Sequence, residues 1–168
     1  MIDLTYAYPT DRKEMYPVVN KQLNAMTEDE KLVIPNLANA AALLTGAMEH
    51  INWVGFYLRH YDELVLGPYQ GRPACIRIPM GKGVCGTAAA SDRAQCVPNV
   101  AEFPGHIVCD SASQSEIVIP IHSMGEVAAV LDIDSPYKNN FGAVDVEGLT
   151  EFVRILEKNC AWKDFRIL

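Results

Sequence analysis

The residues of this sequence best suited to chemistry are its cysteines, Cys75, Cys85, Cys96, Cys109 and Cys160. An odd count argues against a framework of structural disulfides, which leaves packing, metal ligation and redox or nucleophilic catalysis as roles for these thiols. No two of them show the C-x₂₋₄-C spacing that is typical of structural zinc sites, so we expect no metal. Cys96, in a predicted short strand, and Cys160, on the last predicted helix, are expected to pack in the core.

Cys109 differs from the other cysteines because it follows the turn-forming stretch Phe103-Pro104-Gly105-His106. A charged His106 or backbone dipoles would lower the pKa of the Cys109 thiol and raise its thiolate fraction, whereas Asp110 would act in the opposite direction unless turned aside. A loop of this length in a small domain is usually functional. These features favour a nucleophilic thiolate, with packing as a small buried hydrophobe as the alternative.

Three carboxylates are predicted to share one face of a sheet. Asp132 and Asp134 lie two residues apart in a predicted strand, and Glu116 begins the strand expected to pair with it. Carboxylates this close raise the pKa of at least one of them, which keeps a proton donor near neutral pH, and ionised members can bind an ammonium group. The alternative is a solvated strand end with aspartates that cap a turn.

Aromatic residues form a second candidate binding feature. In the segment 52–57, Trp53, Gly55 and Tyr57 are expected on one strand face, with Val54 and Phe56 on the other. Two rings that flank a glycine suit a small methyl-bearing or partly cationic group, and ordinary core packing is the alternative.

The stretch Gly81-Lys82-Gly83-Val84-Cys85-Gly86 matches the G-x-G-x-x-G pattern of dinucleotide-binding proteins. The match is weak, because the neighbouring strands look antiparallel and the helix predicted after it covers only residues 87–90. We expect instead a glycine loop whose backbone amides hold a small carboxylate.

The elements that must position these residues follow from hydrophobic periodicity and turn signals. Helices are expected over residues 11–26, from a capping box at 27–30 to about Glu49, over 87–90 and over 145–162. Strands are expected over 52–59, 63–70, 74–80, 95–97, 116–122 and 126–132, joined largely by tight turns that favour antiparallel pairing. The fold class is therefore α+β, with a single antiparallel sheet of about six strands and helices packed on it.

Length and charge limit the classes of function. The 168 residues suit one domain, 1–168, and the net charge of -7 disfavours nucleic acid and anionic membranes as partners. The N-terminus lacks a basic segment followed by an apolar one, and no apolar stretch is long enough to span a bilayer. We therefore expect a cytoplasmic protein.

Taken together, the motifs resemble those of one family, the free methionine-(R)-sulfoxide reductases, which are stand-alone GAF domains. The resemblance covers nearly the whole chain, and the arrangement of three cysteines is specific to this group among GAF domains. The matching stretches are residues 52–57, 66–71, 73–75, 83–86, 103–110, 115–118 and 130–135.

The resemblance implies a GAF-fold oxidoreductase that reduces free L-methionine (R)-sulfoxide, with thioredoxin as reductant and no bound cofactor. It places the catalytic cysteine at Cys109, the resolving cysteine at Cys75 and a third redox-capable cysteine at Cys85. Cys96 lies outside the family's pattern. The substrate-binding positions fall on Trp53, Tyr57, Glu116, Asp132 and Asp134.

The mechanism that these residues allow begins when the Cys109 thiolate attacks the sulfoxide sulfur and a carboxyl group protonates the oxygen. Methionine leaves, Cys109 becomes a sulfenic acid, and Cys75 condenses with it to a disulfide that thioredoxin reduces. The competing hypotheses are a ligand-sensing GAF module and a metal-binding protein that uses Cys75, Cys85 and Cys109. Pairing of the N-terminal helices could produce a homodimer.

Overall fold

The computed structural model describes residues 7–165, in which helices pack on both faces of an antiparallel sheet. The strands in this range are β1 (Trp53–His60), β2 (Glu63–Gln70), β3 (Arg77–Pro79), β4 (Gln95–Val97), β5 (Ser115–Ser123) and β6 (Glu126–Ser135). The helices are α1 (Arg12–Thr27), α2 (Val33–Ala47), α3 (Gly83–Ser91) and α4 (Ala143–Asn159), with 3₁₀ turns at Val100–Glu102 and Trp162–Asp164. None of the helices between residues 7 and 165 combines the length and apolar character needed to cross a bilayer.

The described strands form one six-stranded sheet in the order β3-β2-β1-β6-β5-β4. Every neighbouring pair of strands is antiparallel. Tight turns join β1 to β2 and β5 to β6, whereas the longer segments between β3 and β5 carry α3 and the cysteine-bearing loop. The predicted α+β class with a single antiparallel sheet of about six strands is therefore confirmed.

The larger core lies between one face of the sheet and the helices α1, α2 and α4. On α4, Leu149, Phe152 and Leu156 are spaced by three and four residues, so they fall on one side of the helix. They are fully buried in the same cluster as Phe56 of β1 and Leu131 of β6. This packing makes the central strands a rigid base for the opposite face.

The opposite face of the sheet carries a smaller core beneath α3 and the loop 103–114. Trp53 and Tyr57 from β1 and Val118 from β5 are buried there together with Val84 and Ala88 of α3. The predicted alternation along β1 is thus present, because Val54 and Phe56 belong to the larger core instead. The candidate site forms in this second layer.

The start of α2 differs from the sequence prediction. Thr27 does not cap α2, because it is the last residue of α1 and its hydroxyl donates to the Leu23 carbonyl at 2.8 Å. Glu30 likewise does not reach back, since its Oε1 accepts a hydrogen bond from the Leu32 amide at 2.7 Å. The predicted capping box therefore does not open a helix: α1 ends at Thr27, and α2 begins only at Val33.

A β-bulge in β6 places Val127 and Ala129 on opposite faces of the sheet. Ile121 pairs with Ala129 but His122 pairs with Val127, so Ala128 is the extra residue on β6. An inserted residue reverses the direction of the side chains beyond it. Regular alternation would place Val127 on the same face as Ala129, but beyond the bulge Val127 packs in the smaller core.

His122 connects β5 to the ends of α3 and α4. Its Nε2 lies 2.6 Å from Asp92 Oδ1, and its Nδ1 lies 2.8 Å from Glu157 Oε1. Partial burial lowers the pKa of His122, but hydrogen bonds to Asp92 and Glu157 and their charges outweigh this effect and raise it overall. The protonated ring therefore stabilises the fold below the ordinary histidine pKa, and this contribution is lost as pH rises through the raised value.

We expect His122→Gln to lower the free energy of unfolding by about 0.5–1 kcal/mol near pH 5.5 and by less near pH 9. The effect is modest because His122 and Asp92 are partly exposed, which screens their attraction. Urea denaturation at both pH values measures the two losses. Equal losses at the two values would show that the proton on His122 contributes nothing.

Candidate active site

The predicted catalytic and substrate-binding residues meet at one cavity on the second face of the sheet. The cavity is small, about 30 Å³. Cys75, which is disulfide-bonded to Cys109, is the one predicted residue outside its immediate lining. The others line the cavity directly: Trp53, Tyr57, Cys85, Cys109, Glu116, Asp132 and Asp134.

The disulfide joins Cys75, just before β3, to Cys109 in the loop 103–114, and their Cα atoms are 5.5 Å apart. Cys85, Cys96 and Cys160 are free thiols. Cys160 is buried as predicted, but the prediction that Cys96 packs in the core is wrong. Cys96 is exposed because it lies on the short edge strand β4, where its neighbour Val97 takes the inward-facing position.

Antiparallel pairing places the three carboxylates side by side. Glu116 of β5 pairs with Asp134 of β6, and Asp132 lies two residues before Asp134, so all three occupy one face of the sheet. Cys85 projects from α3 onto the same cluster, with its Sγ 3.8 Å from Glu116 Oε1. The arrangement concentrates ionisable groups in a site where Glu116, Asp132 and Cys85 are buried.

The environment favours the protonated form of this cluster. Burial, and then the charges of Asp132 and Asp134, raise the pKa of Glu116 well above its ordinary value. Burial raises the pKa of Asp132 to about 6, and burial followed by the charges of Asp132 and Asp110 raises the pKa of Asp134. Burial and the neighbouring Asp132 and Glu116 also raise the pKa of the Cys85 thiol. The cavity therefore holds a proton donor near neutral pH.

Three aromatic rings stack beside the carboxylates. The centroid of Trp53 lies 5.3 Å from that of Tyr69 and 5.9 Å from that of Tyr57. Trp53 Nε1 donates to the Arg72 carbonyl, and the Tyr57 hydroxyl donates to the Cys75 carbonyl, each at 3.1 Å. Trp53 and Tyr57 thus wall the cavity and also fix the segment that carries Cys75.

Sequence reasoning missed Tyr69, which pairs with Gly55 between β1 and β2. The signal that could have found it is Gly55 itself, a glycine inside a predicted strand. A glycine inside a strand often marks the close approach of another group. A Cβ at Gly55 would lie 2.6 Å from Trp53 Cη2 and would also overlap Tyr69. Gly55 therefore makes room for the stack.

Gly55→Ala is expected to destabilise the protein by about 1–3 kcal/mol, because the added methyl group must displace Trp53 or Tyr69. Thermal unfolding measures the change. Gly46→Ala is the matched control, since a Cβ there meets no atom within 4 Å and alanine favours the helix in which Gly46 lies. Similar melting temperatures for the two variants would contradict the steric explanation.

A polar network around Asn52 anchors the cysteine-bearing loop. Asn52 Nδ2 donates to Asp110 Oδ2 at 3.3 Å and to Ser113 Oγ at 3.1 Å. Arg72 Nη1 lies 3.9 Å from Asp110 Oδ1, and Ser113 hydrogen-bonds to Asp134. The network engages the carboxylate of Asp110 next to Cys109. Sequence reasoning did not assign it, because isolated polar residues in loops produce no periodic pattern.

His106 faces the carboxylates. Its Nε2 lies 3.8 Å from Glu116 Oε2, and burial lowers the pKa of His106. The neutral ring is therefore favoured near pH 7. The structure does not support the expected charged His106 as the group that lowers the pKa of the Cys109 thiol.

The glycine stretch forms the start of a helix instead of a loop. α3 begins at Gly83, and Gly83, Val84 and Cys85 of its first turn line the cavity. Amides in the first turn of a helix lack partners within the helix and carry its positive dipole end. The helix N-terminus is thus suited to bind an anionic group, the role expected of a glycine loop.

Comparison with known proteins assigns the chain to a family. The profile of the GAF domain matches residues 25–159. The free methionine-R-sulfoxide reductase of Escherichia coli (strain K12) is 46% identical over 156 residues, which cover 93% of this chain and 94% of that protein. The chain belongs to the free methionine-R-sulfoxide reductase family of GAF domains.

Solved structures of other family members share the fold. The reduced form of fRMsr of Staphylococcus aureus superposes with a TM-score of 0.85 at 47% identity, covering 93% of this chain and 99% of that one. The free methionine-R-sulfoxide reductase of Neisseria meningitidis, solved in complex with its substrate, gives 0.90 at 42% identity and covers 94% and 95%. The GAF fold and the family resemblance inferred from the sequence are confirmed, as is the assignment to the oxidoreductases.

Proposed function

We propose that this chain reduces free methionine-(R)-sulfoxide to methionine, with Cys109 as the attacking thiolate and Cys75 as the resolving thiol. The observation that carries the proposal is the Cys75–Cys109 disulfide beside a cavity lined by buried carboxylates. The chain's similarity to reductases of Escherichia coli and Saccharomyces cerevisiae, at 46% and 38% identity, supports the substrate.

The first chemical step needs a nucleophile and an acid. The sulfoxide sulfur is electrophilic, and its oxygen leaves only after protonation. The Cys109 thiolate attacks the sulfur while Glu116, the buried carboxyl group beside Cys85 and His106, gives its proton to the oxygen. The protonated oxygen is then transferred to Cys109: the S–O bond of the sulfoxide breaks, an S–O bond to Cys109 forms, and methionine leaves while Cys109 becomes a sulfenic acid.

The second step closes the disulfide. The Cys75 thiol attacks the sulfenic sulfur of Cys109, water leaves, and the bond present in the structure forms. Thioredoxin then reduces this bond by exchange, so two electrons reach the sulfoxide without a bound cofactor. This recycling suits the cytoplasm, where thioredoxin keeps thiols reduced.

Reduction must precede binding of the next substrate. A cavity of about 30 Å³ has room for about two water molecules and not for an amino acid. Cleavage of the Cys75–Cys109 bond frees the loop 103–114 from the segment before β3. The reduced enzyme is therefore the form that admits methionine sulfoxide.

Selectivity for the free amino acid follows from the charges around the cavity. Asp132 and Asp134 are positioned to bind the α-ammonium group, and the N-terminus of α3 to bind the α-carboxylate. Trp53 and Tyr57 enclose the S-methyl group. A methionine within a peptide has neither free charge and would leave these buried groups without partners.

We expect N-acetyl methionine sulfoxide and the methyl ester each to be reduced with kcat/KM lower by about 10- to 100-fold. Each block removes one charged contact, and an unpaired buried group costs about 1–3 kcal/mol. Steady-state assays with the separated (R) diastereomers provide the measurement. Equal turnover of free and blocked substrates would contradict the proposed contacts.

A coupled assay tests the function itself. Thioredoxin, its reductase and NADPH are combined with the protein and each free sulfoxide diastereomer, and we expect NADPH consumption with the (R) form alone. Without reductant, the five thiols of the reduced chain should fall to three after one turnover, because Cys75 and Cys109 pair. A ligand sensor would lose none, and that result would overturn the proposal.

A further inference from the structure

Cys85 is a thiol of the cavity that stays free when the Cys75–Cys109 disulfide is closed. One donor atom from each of Cys85, Glu116 and Asp132 lies within 4.8 Å of the other two, and all three side chains are buried. Cys85 Sγ and Glu116 Oε1 are 3.8 Å apart. Zn–S and Zn–O bonds of about 2.3 and 2.1 Å at tetrahedral angles separate such donors by about 3.6 Å.

A second observation at this cluster points to a ligand. Asp132 is only 6% exposed, and its Oδ1 has no hydrogen-bond partner among the described residues. A buried carboxylate oxygen without a partner is costly, and such an atom in a native site calls for a ligand or an ion. Glu116, Asp132 and Cys85 would also repel one another once ionised, which a divalent cation relieves.

We propose that Cys85, Glu116 and Asp132 form a binding site for a thiophilic divalent cation, with Zn²⁺ the best fit. A thiolate ligand selects Zn²⁺ over Mg²⁺ and Ca²⁺, and two carboxylate oxygens complete a three-ligand set with a fourth position open. Coordination forms an S–Zn bond and releases the Cys85 proton to solvent. Neither Cys75 nor Cys109 is needed.

The site makes Zn²⁺ an inhibitor that acts without touching the redox pair. A bound ion occupies Glu116 and Asp132, so Glu116 cannot protonate the sulfoxide and Asp132 cannot bind the ammonium group. This competition with substrate rests on the proposed function, whereas binding of the ion does not. Binding is therefore tested first, and by itself.

The test uses the disulfide form of the whole chain and Co²⁺, a spectroscopic substitute for Zn²⁺. We expect a near-ultraviolet thiolate-to-cobalt absorption that saturates at one ion per chain, visible bands of tetrahedral cobalt, and loss of both when Zn²⁺ is added. A protein that shows no thiolate-to-cobalt band has no such site.

Variants identify which residues produce the thiolate-to-cobalt band. Cys85→Ser should abolish it, and Asp132→Asn or Glu116→Gln should weaken Co²⁺ binding at least tenfold. Cys96→Ser, which changes the exposed thiol of β4, is the matched control and should leave the band intact. A band that survives Cys85→Ser overturns the proposal. If that variant does not fold, unchanged Co²⁺ affinity in Asp132→Asn and Glu116→Gln overturns it equally.

Activity measurements separate the two proposals. Competitive inhibition by Zn²⁺ in the coupled assay, with the band present, supports both. A saturable thiolate-to-cobalt band in a protein that reduces no sulfoxide supports the metal site and refutes the proposed function. Sulfoxide reduction by a protein that shows no such band supports the function and refutes the metal site.

Discussion

Cys109→Ser is expected to reduce kcat/KM for free methionine-(R)-sulfoxide by at least about 10³-fold, because a serine hydroxyl cannot replace a thiolate nucleophile. The coupled thioredoxin assay measures the loss. The variant should keep its fold, since Cys109 lies in a loop outside both hydrophobic clusters of the described residues. Activity within tenfold of the parent would show that another thiol attacks the sulfur.

Two further cysteine variants test the roles of other thiols in the chain. Cys75→Ser should retain a single turnover and then stop, because Cys109 reaches the sulfenic acid and finds no resolving thiol. A sulfenic-acid trapping reagent followed by mass measurement detects that state. Cys96→Ser is the matched control, and it should lose little activity because its thiol is exposed on the edge strand β4.

Glu116→Gln is expected to lower kcat by about 10²- to 10⁴-fold, the usual contribution of a general acid. Burial, and then the charges of Asp132 and Asp134, raise the pKa of Glu116, so the parent enzyme keeps this proton to higher pH than an ordinary glutamate does. The rate of the parent should fall as pH rises through that raised pKa. The glutamine variant should lack this alkaline decline.

Stability data distinguish lost chemistry from lost structure. Because the folded-state pKa of Glu116 is raised, its protonated form stabilises the fold below the unfolded-state pKa, and this contribution is lost as pH rises through the folded value. Glutamine does not ionise, so Glu116→Gln should be more stable than the parent at about pH 9, with little advantage near pH 4. Glu126→Gln, at an exposed ion pair, is the control and should leave rate and stability nearly unchanged.

Local patterns in the sequence determined the elements and much of the site. Alternation along β1 separates Trp53 and Tyr57 from Val54 and Phe56, and the spacing of Asp132 and Asp134 places both on one face. These features repeat every two residues, so they depend on the backbone alone. The boundaries of β2 and β4 were predicted to the residue because turn-forming residues flank these strands.

Features that depend on contacts between distant segments were decided by the tertiary structure. The residues alone left open which thiol pairs with Cys109, and only packing of the segment before β3 against the loop 103–114 brings Cys75 to it. The start of α3 inside the glycine stretch, the bulge that turns Val127 over and the Asn52 network likewise escaped the sequence patterns.

The candidate site shows the same division between what the sequence determined and what the tertiary structure decided. The sequence supplied a loop thiol, further thiols and three carboxylates, and the family resemblance supplied the roles expected of them. The fold buries the carboxylates together, which raises their pKa values in the cavity that Cys109 also lines. Burial of the carboxylates depends on every element that covers the cavity, so no single stretch of the sequence predicts it.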